Sequence, residues 1–318
     1  LYNVETITGG TGKDTVILET KTTAVTINLG DGLDKLVLFE TGGTLTVSNV
    51  ETIIGTDSGD DVIILDTQAT ALTIDLGDGL DKLVLDKFNN TLSLSGIEAV
   101  VGSTKTDNLT MLDQMTGGNI NLAGGADRLV LADFENTLTI ASIETLIGGS
   151  EDDKIVVSGL LTKGMIDLGD GEDSLTLGGA ANSLTVMNTE TIIGGSSTDY
   201  VFLGTQPTAG EFTVDLAGGG DTLVLAATGN TLSVSNVETL TGQGGDDTIY
   251  IIGAATGLSI DLDSGTDTLN ISDGGGTLTV SNIEIINAED TDSASVITLH
   301  AAITGGSVSL GYGTGDKL

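Results

Sequence analysis

Twelve aspartates recur along the chain at alternating short and long intervals. Their separations are 20 to 22 residues and then 26 or 27 residues, and each aspartate ends a turn such as GDGLD at 30–34 or GQGGDD at 242–247. The turn glycines can adopt positive φ and direct backbone carbonyl oxygens toward the carboxylate. The twelve residues are Asp14, Asp34, Asp61, Asp81, Asp107, Asp127, Asp153, Asp173, Asp199, Asp221, Asp247 and Asp267.

Carboxylate and carbonyl oxygens in repeated turns have the chemistry of a calcium site. Ca²⁺ takes about six to eight hard oxygen ligands at flexible distances, whereas Mg²⁺ demands a tighter octahedron. An Asp-Gly turn also forms without any ligand, but twelve such turns on a chain of net charge −36 favour multiple Ca²⁺ ions between successive coils. Further turn carboxylates are weaker candidate ligands: Asp31, Asp60, Asp78, Asp152, Asp170 and Asp246.

The aspartate turns belong to a repeat of 46–48 residues, marked by an Asn/Ser-x-Glu element such as NVETI at 49–53, which is replaced by GIEAV at 96–100 in the third copy. A fixed period of this length is typical of stacked repeat proteins. The chain starts partway through a repeat and without an initiator Met, which indicates a piece of a longer protein. We predict a single elongated domain over 1–318, with repeats at about 1–48, 49–95, 96–141, 142–187, 188–235 and 236–281 and a partial copy at 282–318.

A short alternating apolar run follows each aspartate, as in DTVIL at 14–18. This alternation indicates a strand with one buried face. A second strand reads AVTINL at 24–29 or TLTVSNV at 44–50. The pattern predicts a parallel β-solenoid in which each repeat forms two coils, one short and one long, with all the aspartates along one edge. With 3% aromatic residues and no Trp, we expect a thin aliphatic core.

The composition argues against several functional classes. There are 46 acidic and 10 basic residues, so the chain would repel nucleic acid and anionic membrane surfaces. It has no cysteine and no apolar run long enough to insert in a bilayer. The single histidine, His300, lies outside the regular repeats, and no G-x-S-x-G, H-E-x-x-H or P-loop motif is present. We therefore expect no nucleic-acid binding, no membrane insertion and no enzymatic activity.

Two nonapeptides, GGTGKDTVI at 9–17 and GQGGDDTIY at 242–250, resemble the GGxGxDxUx motif of the RTX repeat family. The resemblance covers essentially the whole chain and implies a calcium-dependent parallel β-roll that is exported by type I secretion. We therefore predict an all-β fold, a right-handed parallel β-solenoid of the RTX-like β-roll type, with two strands per coil and about 13 coils. The resemblance places the family's ligand aspartate at Asp14, Asp61, Asp153 and Asp247.

The middle residue of each strand after an aspartate should point outward. These residues are mostly apolar and would form one continuous stripe, which favours lateral or end-to-end self-association. The preference of β-strands for Val, Ile and Thr is the competing explanation. The apolar members of the stripe are Ile17, Val37, Ile64, Val84, Val130, Val156, Phe202, Val224 and Tyr250.

These observations favour a structural function outside the cell. We expect a calcium-stabilised repeat region of a secreted bacterial cell-surface protein, such as an S-layer, filament or extracellular matrix scaffold. One alternative is the stalk of a calcium-dependent RTX adhesin, and another is the type I secretion and folding module of an exported enzyme. Regularity over six repeats favours the scaffold over the secretion module.

Overall fold

A computed structural model describes residues 4–21, 23–38, 42–55, 59–205, 211–272, 274–288, 294–300, 303, 305–310 and 315–318. Every regular element in these ranges is a β-strand, and none of them contains a helix suited to crossing a membrane. Residues 56–58 of the predicted turn at 55–61 lie outside the described residues. The chain divides into two compact units, Leu1–Ile155 and Val156–Leu318.

The first unit consists of two parallel sheets between which the strands alternate. Odd-numbered strands pair with one another in one sheet, called the odd sheet, and even-numbered strands pair in the even sheet. The strand β17 (Lys154–Val157) contains the boundary between the units. The preceding strands are β1 (Thr6–Thr8), β2 (Thr15–Leu18), β3 (Thr23–Asn28), β4 (Lys35–Leu38), β5 (Thr44–Ser48), β6 (Thr52–Ile54), β7 (Val62–Leu65), β8 (Leu72–Asp75), β9 (Lys82–Val84), β10 (Asn90–Ser95), β11 (Ala99–Val101), β12 (Asp107–Met111), β13 (Thr116–Asn121), β14 (Arg128–Val130), β15 (Thr137–Ala141) and β16 (Thr145–Gly149).

The second unit has the same architecture. Its odd-numbered strands form one parallel sheet and its even-numbered strands form another. The strands are β18 (Thr162–Gly169), β19 (Ser174–Leu177), β20 (Ser183–Met187), β21 (Thr191–Ile193), β22 (Tyr200–Leu203), β23 (Thr213–Asp215), β24 (Thr222–Val224), β25 (Thr231–Ser235), β26 (Thr239–Thr241), β27 (Thr248–Ile251), β28 (Ala255–Asp261), β29 (Thr268–Ile271), β30 (Gly276–Ser281), β31 (Ile285–Ala288), β32 (Ser295–Leu299) and β33 (Ser307–Ser309).

This alternation is a parallel β-solenoid with two strands per coil, so the predicted fold class is confirmed. The chain crosses one sheet, turns, crosses the other and returns one strand further along. Inward aliphatic side chains stack between the sheets: Leu36, Ile53 and Ile74 occupy successive positions of the even sheet and are all fully buried. Each such side chain contributes roughly 1.5–3 kcal/mol of burial free energy. The core is aliphatic, as its aromatic-poor composition predicts.

The predicted coil lengths are wrong, because the coils are shorter and more uniform than the aspartate spacing indicates. Thr15 pairs with Lys35, and Lys35 pairs with Thr52, so successive coils differ by 20 and 17 residues. Five steps through the even sheet lead from β2 to β12, which are equivalent strands two repeats apart. Each repeat therefore spans two and a half coils instead of two.

The half coil places the aspartates of neighbouring repeats on opposite edges of each unit. Asp14 and Asp34 precede strands β2 and β4 of the even sheet, whereas Asp61 and Asp81 precede strands β7 and β9 of the odd sheet. The chain runs across the two sheets in opposite directions, so the points at which it enters them lie on opposite edges. The prediction of one acidic edge is therefore wrong.

The prediction of a continuous outward stripe is wrong for the same reason. Ile17 and Val37 lie in the even sheet, and Ile64 and Val84 lie in the odd sheet. In addition, Val37 and Val224 are only 9% and 8% exposed. The apolar outward residues thus form short groups on both faces, and the self-association expected from them stays a prediction.

Candidate metal centre

Along an edge, the carboxylate of an aspartate accepts a hydrogen bond from the backbone N–H of the residue one coil earlier. Repeated from coil to coil, these bonds form a column. In the third repeat, the N–H of Asp107 donates to Oδ1 of Asp127 at 2.7 Å, and the N–H of Asp127 donates to Oε2 of Glu144 at 2.8 Å. The N–H and Nδ2 of Asn90 both donate to Oδ1 of Asp107. Each carboxylate therefore binds the backbone of the preceding coil, at the residue where the chain turns into a strand.

The same arrangement recurs in the other repeats. The first and second aspartates of a repeat are joined by N–H···Oδ1 bonds of 2.6–2.8 Å, and the second aspartate donates its N–H to a glutamate at 2.7–2.9 Å. Each set, with its Asn where present, is called an aspartate column here. The columns are Asp14–Asp34–Glu51, Asp61–Asp81–Glu98, Asn90–Asp107–Asp127–Glu144, Asn182–Asp199–Asp221–Glu238 and Asn230–Asp247–Asp267–Glu284.

The two aspartates of the fourth repeat, Asp153 and Asp173, lie in different units, and each makes the same kind of contact within its own unit. In the first unit, Asn136 donates its N–H and Nδ2 to Oδ1 of Asp153. In the second unit, the N–H of Asp173 donates to Oε2 of Glu190 at 2.7 Å. All eleven turn aspartates from Asp34 onward are at most 4% exposed, and Asp14 is partly exposed.

The glutamate of each column comes from the Asn/Ser-x-Glu element, or from Gly96-Ile97-Glu98 in the third repeat, and its role as a hydrogen-bond acceptor was not predicted from the sequence. Asn49 and Asn236, the first residues of two such elements, both have φ of 52°, a left-handed turn conformation that Asn tolerates. The next residue is buried, as at Val50 and Val237, and this turns the glutamate toward the edge. A sequence signal was available, since each glutamate lies 17 residues after the second aspartate.

The second aspartate of each column has a buried carboxylate oxygen without a partner. Oδ1 accepts the backbone bond, but Oδ2 has no hydrogen-bond partner within the described residues. Nor do these carboxylates form an ion pair there. A buried unpaired carboxylate oxygen is costly, which indicates that a proton or a cation compensates it. The residues concerned are Asp34, Asp81, Asp127, Asp221 and Asp267.

Backbone carbonyl oxygens of the preceding turn lie beside these carboxylates. A Cβ at Gly79 would come within 2.9 Å of the carbonyl oxygen of Gly59 and 3.0 Å of Oδ2 of Asp81. A Cβ at Gly219 would likewise meet the carbonyl oxygen of Ser197 at 2.7 Å and Oδ1 of Asp221 at 2.6 Å. Glycine thus leaves a small space lined by carbonyl and carboxylate oxygens, the ligand types that Ca²⁺ takes.

Comparison with known proteins supplies no relative for this chain. No protein family, no curated protein and no solved structure matches it. Within the described ranges, no group of three or more His, Cys, Asp or Glu side chains is arranged to hold a metal ion. Side chains alone therefore do not form a complete cation site there, and the carbonyl oxygens beside them would have to contribute.

Burial and like charges raise the pKa of the column aspartates. The pKa of Asp81 is raised to about 7, mainly because burial removes solvation; the hydrogen bond from the backbone of Asp61 lowers the pKa, and the nearby carboxylates of Asp61, Glu98 and Asp60 raise it. Burial likewise raises the pKa of Asp127 and of Asp267 to about 6. The pKa is also raised, mainly by burial, at Asp107, Asp153, Asp221 and Asp247. A cation at these columns would have to displace protons.

The six weaker candidate ligands lie outside the buried columns. All of them are exposed, in contrast to the buried aspartates that they accompany in sequence. Two accept a backbone hydrogen bond from the next coil: Oδ1 of Asp60 from the N–H of Leu80 at 3.0 Å, and Oδ1 of Asp246 from the N–H of Thr266 at 2.8 Å. The structure therefore separates the predicted ligands into a buried set and an exposed set: Asp31, Asp60, Asp78, Asp152, Asp170 and Asp246.

Proposed function

We propose that this chain is a calcium-stabilised structural repeat region of a secreted bacterial cell-surface protein, with a scaffold function. The observation that supports it most directly is the unpartnered, buried Oδ2 of the second aspartate in five columns. A chain of net charge −36 has a strong reason to bind cations, since its buried carboxylates otherwise repel one another. Oxygen ligands of this kind fit calcium better than softer metals.

The residues that would hold the ion are the column aspartates together with backbone carbonyls of the preceding turn. At the second repeat these are Asp81 and the carbonyl of Gly59, and at the fifth repeat Asp221 and the carbonyl of Ser197. When bound, Ca²⁺ supplies positive charge that offsets the repulsion between stacked carboxylates. The aspartates also keep their Oδ1 bonds to the neighbouring coil, so the same side chains connect coils and bind cations.

A scaffold function is consistent with the regularity of the fold. Both units consist of stacked parallel coils, and exposed apolar residues such as Ile17 (45% exposed) and Tyr250 (43% exposed) would allow copies to pack side by side. Calcium is scarce in the cytosol and abundant outside cells, so the chain would fold after export. Ion binding to the folded state then adds stability by mass action.

Removing calcium tests this proposal. We expect the purified chain to melt at a much lower temperature in EGTA than in millimolar CaCl₂, and to lose β-sheet circular dichroism at 37 °C. MgCl₂ at the same ionic strength is the control, and it should restore little stability because Mg²⁺ dehydrates reluctantly. Identical melting curves with EGTA and with CaCl₂ would refute a calcium-stabilised fold.

A further inference from the structure

The charged residues on the sheet faces are divided unequally between the two units. In the first three repeats, the strand after the second aspartate begins with a basic residue, and in the fourth to sixth repeats it begins with an uncharged one. These residues are Lys35, Lys82 and Arg128, and then Ser174, Thr222 and Thr268. Seven residues earlier, the first three repeats have Asn28, Asp75 and Asn121, and the next three have Asp167, Asp215 and Asp261. Basic strand residues therefore lie mainly in the first unit and acidic ones in the second.

The odd sheet of the first unit carries only basic charges on its outer surface. Its described strands contain no aspartate or glutamate, although the whole chain has 46 acidic residues. Lys82 and Lys154 are exposed on it, and neither forms an ion pair within the described residues. On the neighbouring strands Lys82 lies between Val62 and Ala99, which carry no charge. This surface is called the basic face here.

The sheet of even-numbered strands in the second unit carries the opposite charge, and its outer surface is called the acidic face. Asp167 and Asp261 lie on it, five strand steps apart. The Oδ1 of each accepts a 2.7 Å hydrogen bond, from Nδ2 of Asn188 and of Asn282 respectively, which leaves Oδ2 for another donor. In the described part of the chain, neither carboxylate forms an ion pair. The basic residue of these strands, Lys163, lies four residues before Asp167.

Both faces have the size and the apolar side chains that a protein contact needs. Val101 (39% exposed) lies on the basic face, and Met165 (39% exposed) and Tyr200 (47% exposed) lie on the acidic face. At least eight strands, spaced about 4.8 Å apart and about four residues wide, give each face roughly 500 Å². Contact between them would cover about 1,000 Å² in all, the lower limit for a specific protein interface.

We propose that the basic face of one copy of this chain packs against the acidic face of another copy, with Lys82 and Lys154 directed toward Asp167 and Asp261. The proposal rests on the scaffold function proposed above, since it names the surfaces through which copies would assemble. Opposite charges at the contact offset the repulsion between chains of net charge −36. Because the two faces differ, each contact leaves one face of either kind unused, and further copies can add.

Paired charge reversals test the contact. One variant is Lys82→Glu with Lys154→Glu, and the other is Asp167→Lys with Asp261→Lys. Each variant alone should associate at least about tenfold more weakly than the unaltered chain, because like charges then meet at the contact. An equimolar mixture should associate again, because both faces of one variant are then opposite in charge to both faces of the other. Sedimentation velocity in CaCl₂ and 0.15 M NaCl, where charges more than about 8 Å apart are screened, measures association.

Matched variants on the other two faces separate this contact from a general effect of net charge. Lys35→Glu with Arg128→Glu, and Asp75→Lys with Asp215→Lys, change the net charge by the same amounts and should leave association unchanged. Circular dichroism checks that each variant is folded. If the Asp167 and Asp261 variant does not fold, the lysine variant compared with its control decides the outcome.

The outcomes distinguish this proposal from the scaffold function. Equal association of all folded variants, or a mixture of the two reversed variants that does not associate, would overturn the proposed contact and leave the scaffold function standing. If the unaltered chain stayed monomeric in CaCl₂ at every concentration tested, both the contact and the scaffold function would fail.

Discussion

The second and third repeats of the first unit have the same hydrogen-bonded column on opposite edges, but different charges around it. In both, the first aspartate donates its N–H to the second, which donates to a glutamate. Asp60 accompanies the column of the second repeat, and Thr106 that of the third, each accepting one backbone N–H. The shared contacts are therefore sufficient for the fold, and the carboxylate of Asp60 adds a negative charge near Asp81 that the third repeat lacks near Asp127.

The largest expected effect is the loss of calcium stabilisation when the second aspartate of either column is replaced. In saturating CaCl₂, Asp81→Asn and Asp127→Asn should each lower the free energy of unfolding by about 2–3 kcal/mol, because a bound ion no longer stabilises the folded state. In EGTA at neutral pH each should instead raise it by roughly 1 kcal/mol, because a buried carboxylate with a raised pKa is replaced by a neutral amide. Urea titrations monitored by circular dichroism measure both. Unchanged stability of both variants in saturating CaCl₂ would contradict calcium binding at the second aspartates.

The pH dependence of stability without calcium is the next effect. The pKa of Asp81 is about 7 and that of Asp127 and Asp267 about 6, all above the ordinary 3.8. The folded state therefore binds more protons than the unfolded state, so this stability is fully present near pH 4 and is lost as the pH rises through 6 to 7. We expect the melting temperature in EGTA to fall by at least about 3 °C between pH 5 and pH 8.

The same titration also compares the two columns. Asp81 should titrate at a higher pH than Asp127, because Asp60 adds a nearby negative charge, and Asp60→Thr should reduce the difference. Carboxyl ¹³C NMR shifts measured against pH report each pKa. A melting temperature that rises from pH 5 to pH 8 in EGTA would contradict the assignment of raised pKa values.

A smaller effect, equal in the two columns, is expected at the glutamates. Glu98→Gln and Glu144→Gln keep an oxygen that can accept the aspartate N–H and remove a charge that raises the neighbouring pKa. In EGTA each should raise the free energy of unfolding by roughly 0.5 kcal/mol. The alanine variants serve as controls and should cost about 1–3 kcal/mol, since they leave the aspartate N–H without its partner. A large difference between the columns would show that the glutamate contacts are not equivalent.

The smallest effect is expected for exchanging the residues that distinguish the columns. In EGTA, Asp60→Thr and Thr106→Asp should change the free energy of unfolding by less than about 0.5 kcal/mol, because each retains a side-chain acceptor at a solvent-accessible site. Chemical denaturation in parallel with the unaltered chain measures this. A cost above about 1 kcal/mol for either exchange would mean that these residues have a structural role in the fold as well.

The sequence predicts the strand pairs and the position of the aspartates at the turns, because alternating apolar residues and Asp-Gly turns are local signals. It did not predict that neighbouring repeats lie on opposite edges. The interval from Asp34 to Asp61 was interpreted as one long coil, but it covers one and a half coils. The sequence signal for the true coil length was the spacing of 17 residues between Asp34 and Glu51. These two residues contact each other from neighbouring coils and do not belong to the same coil.

Which carboxylates are exposed and which are buried could not be predicted from the local sequence either. Asp60 and Asp61 are adjacent in sequence, yet Asp60 is exposed and Asp61 is 4% exposed. Adjacent residues of an extended segment point to opposite sides, so one carboxylate faces the neighbouring coils and the other faces solvent. Which of the two faces inward depends on how the coils stack, and the motif alone does not contain that information.

The two-and-a-half-coil repeat constrains how such a gene can lengthen or shorten. Duplicating or deleting one copy of about 46 residues would shift every downstream copy by half a coil. From that point on, the residues that now lie along one edge, such as Asp60, would lie along the other. Only changes of two copies at a time preserve the distinction. Natural variants of this protein that differ in length should therefore differ by even numbers of copies, a pattern that sequencing of related strains can check.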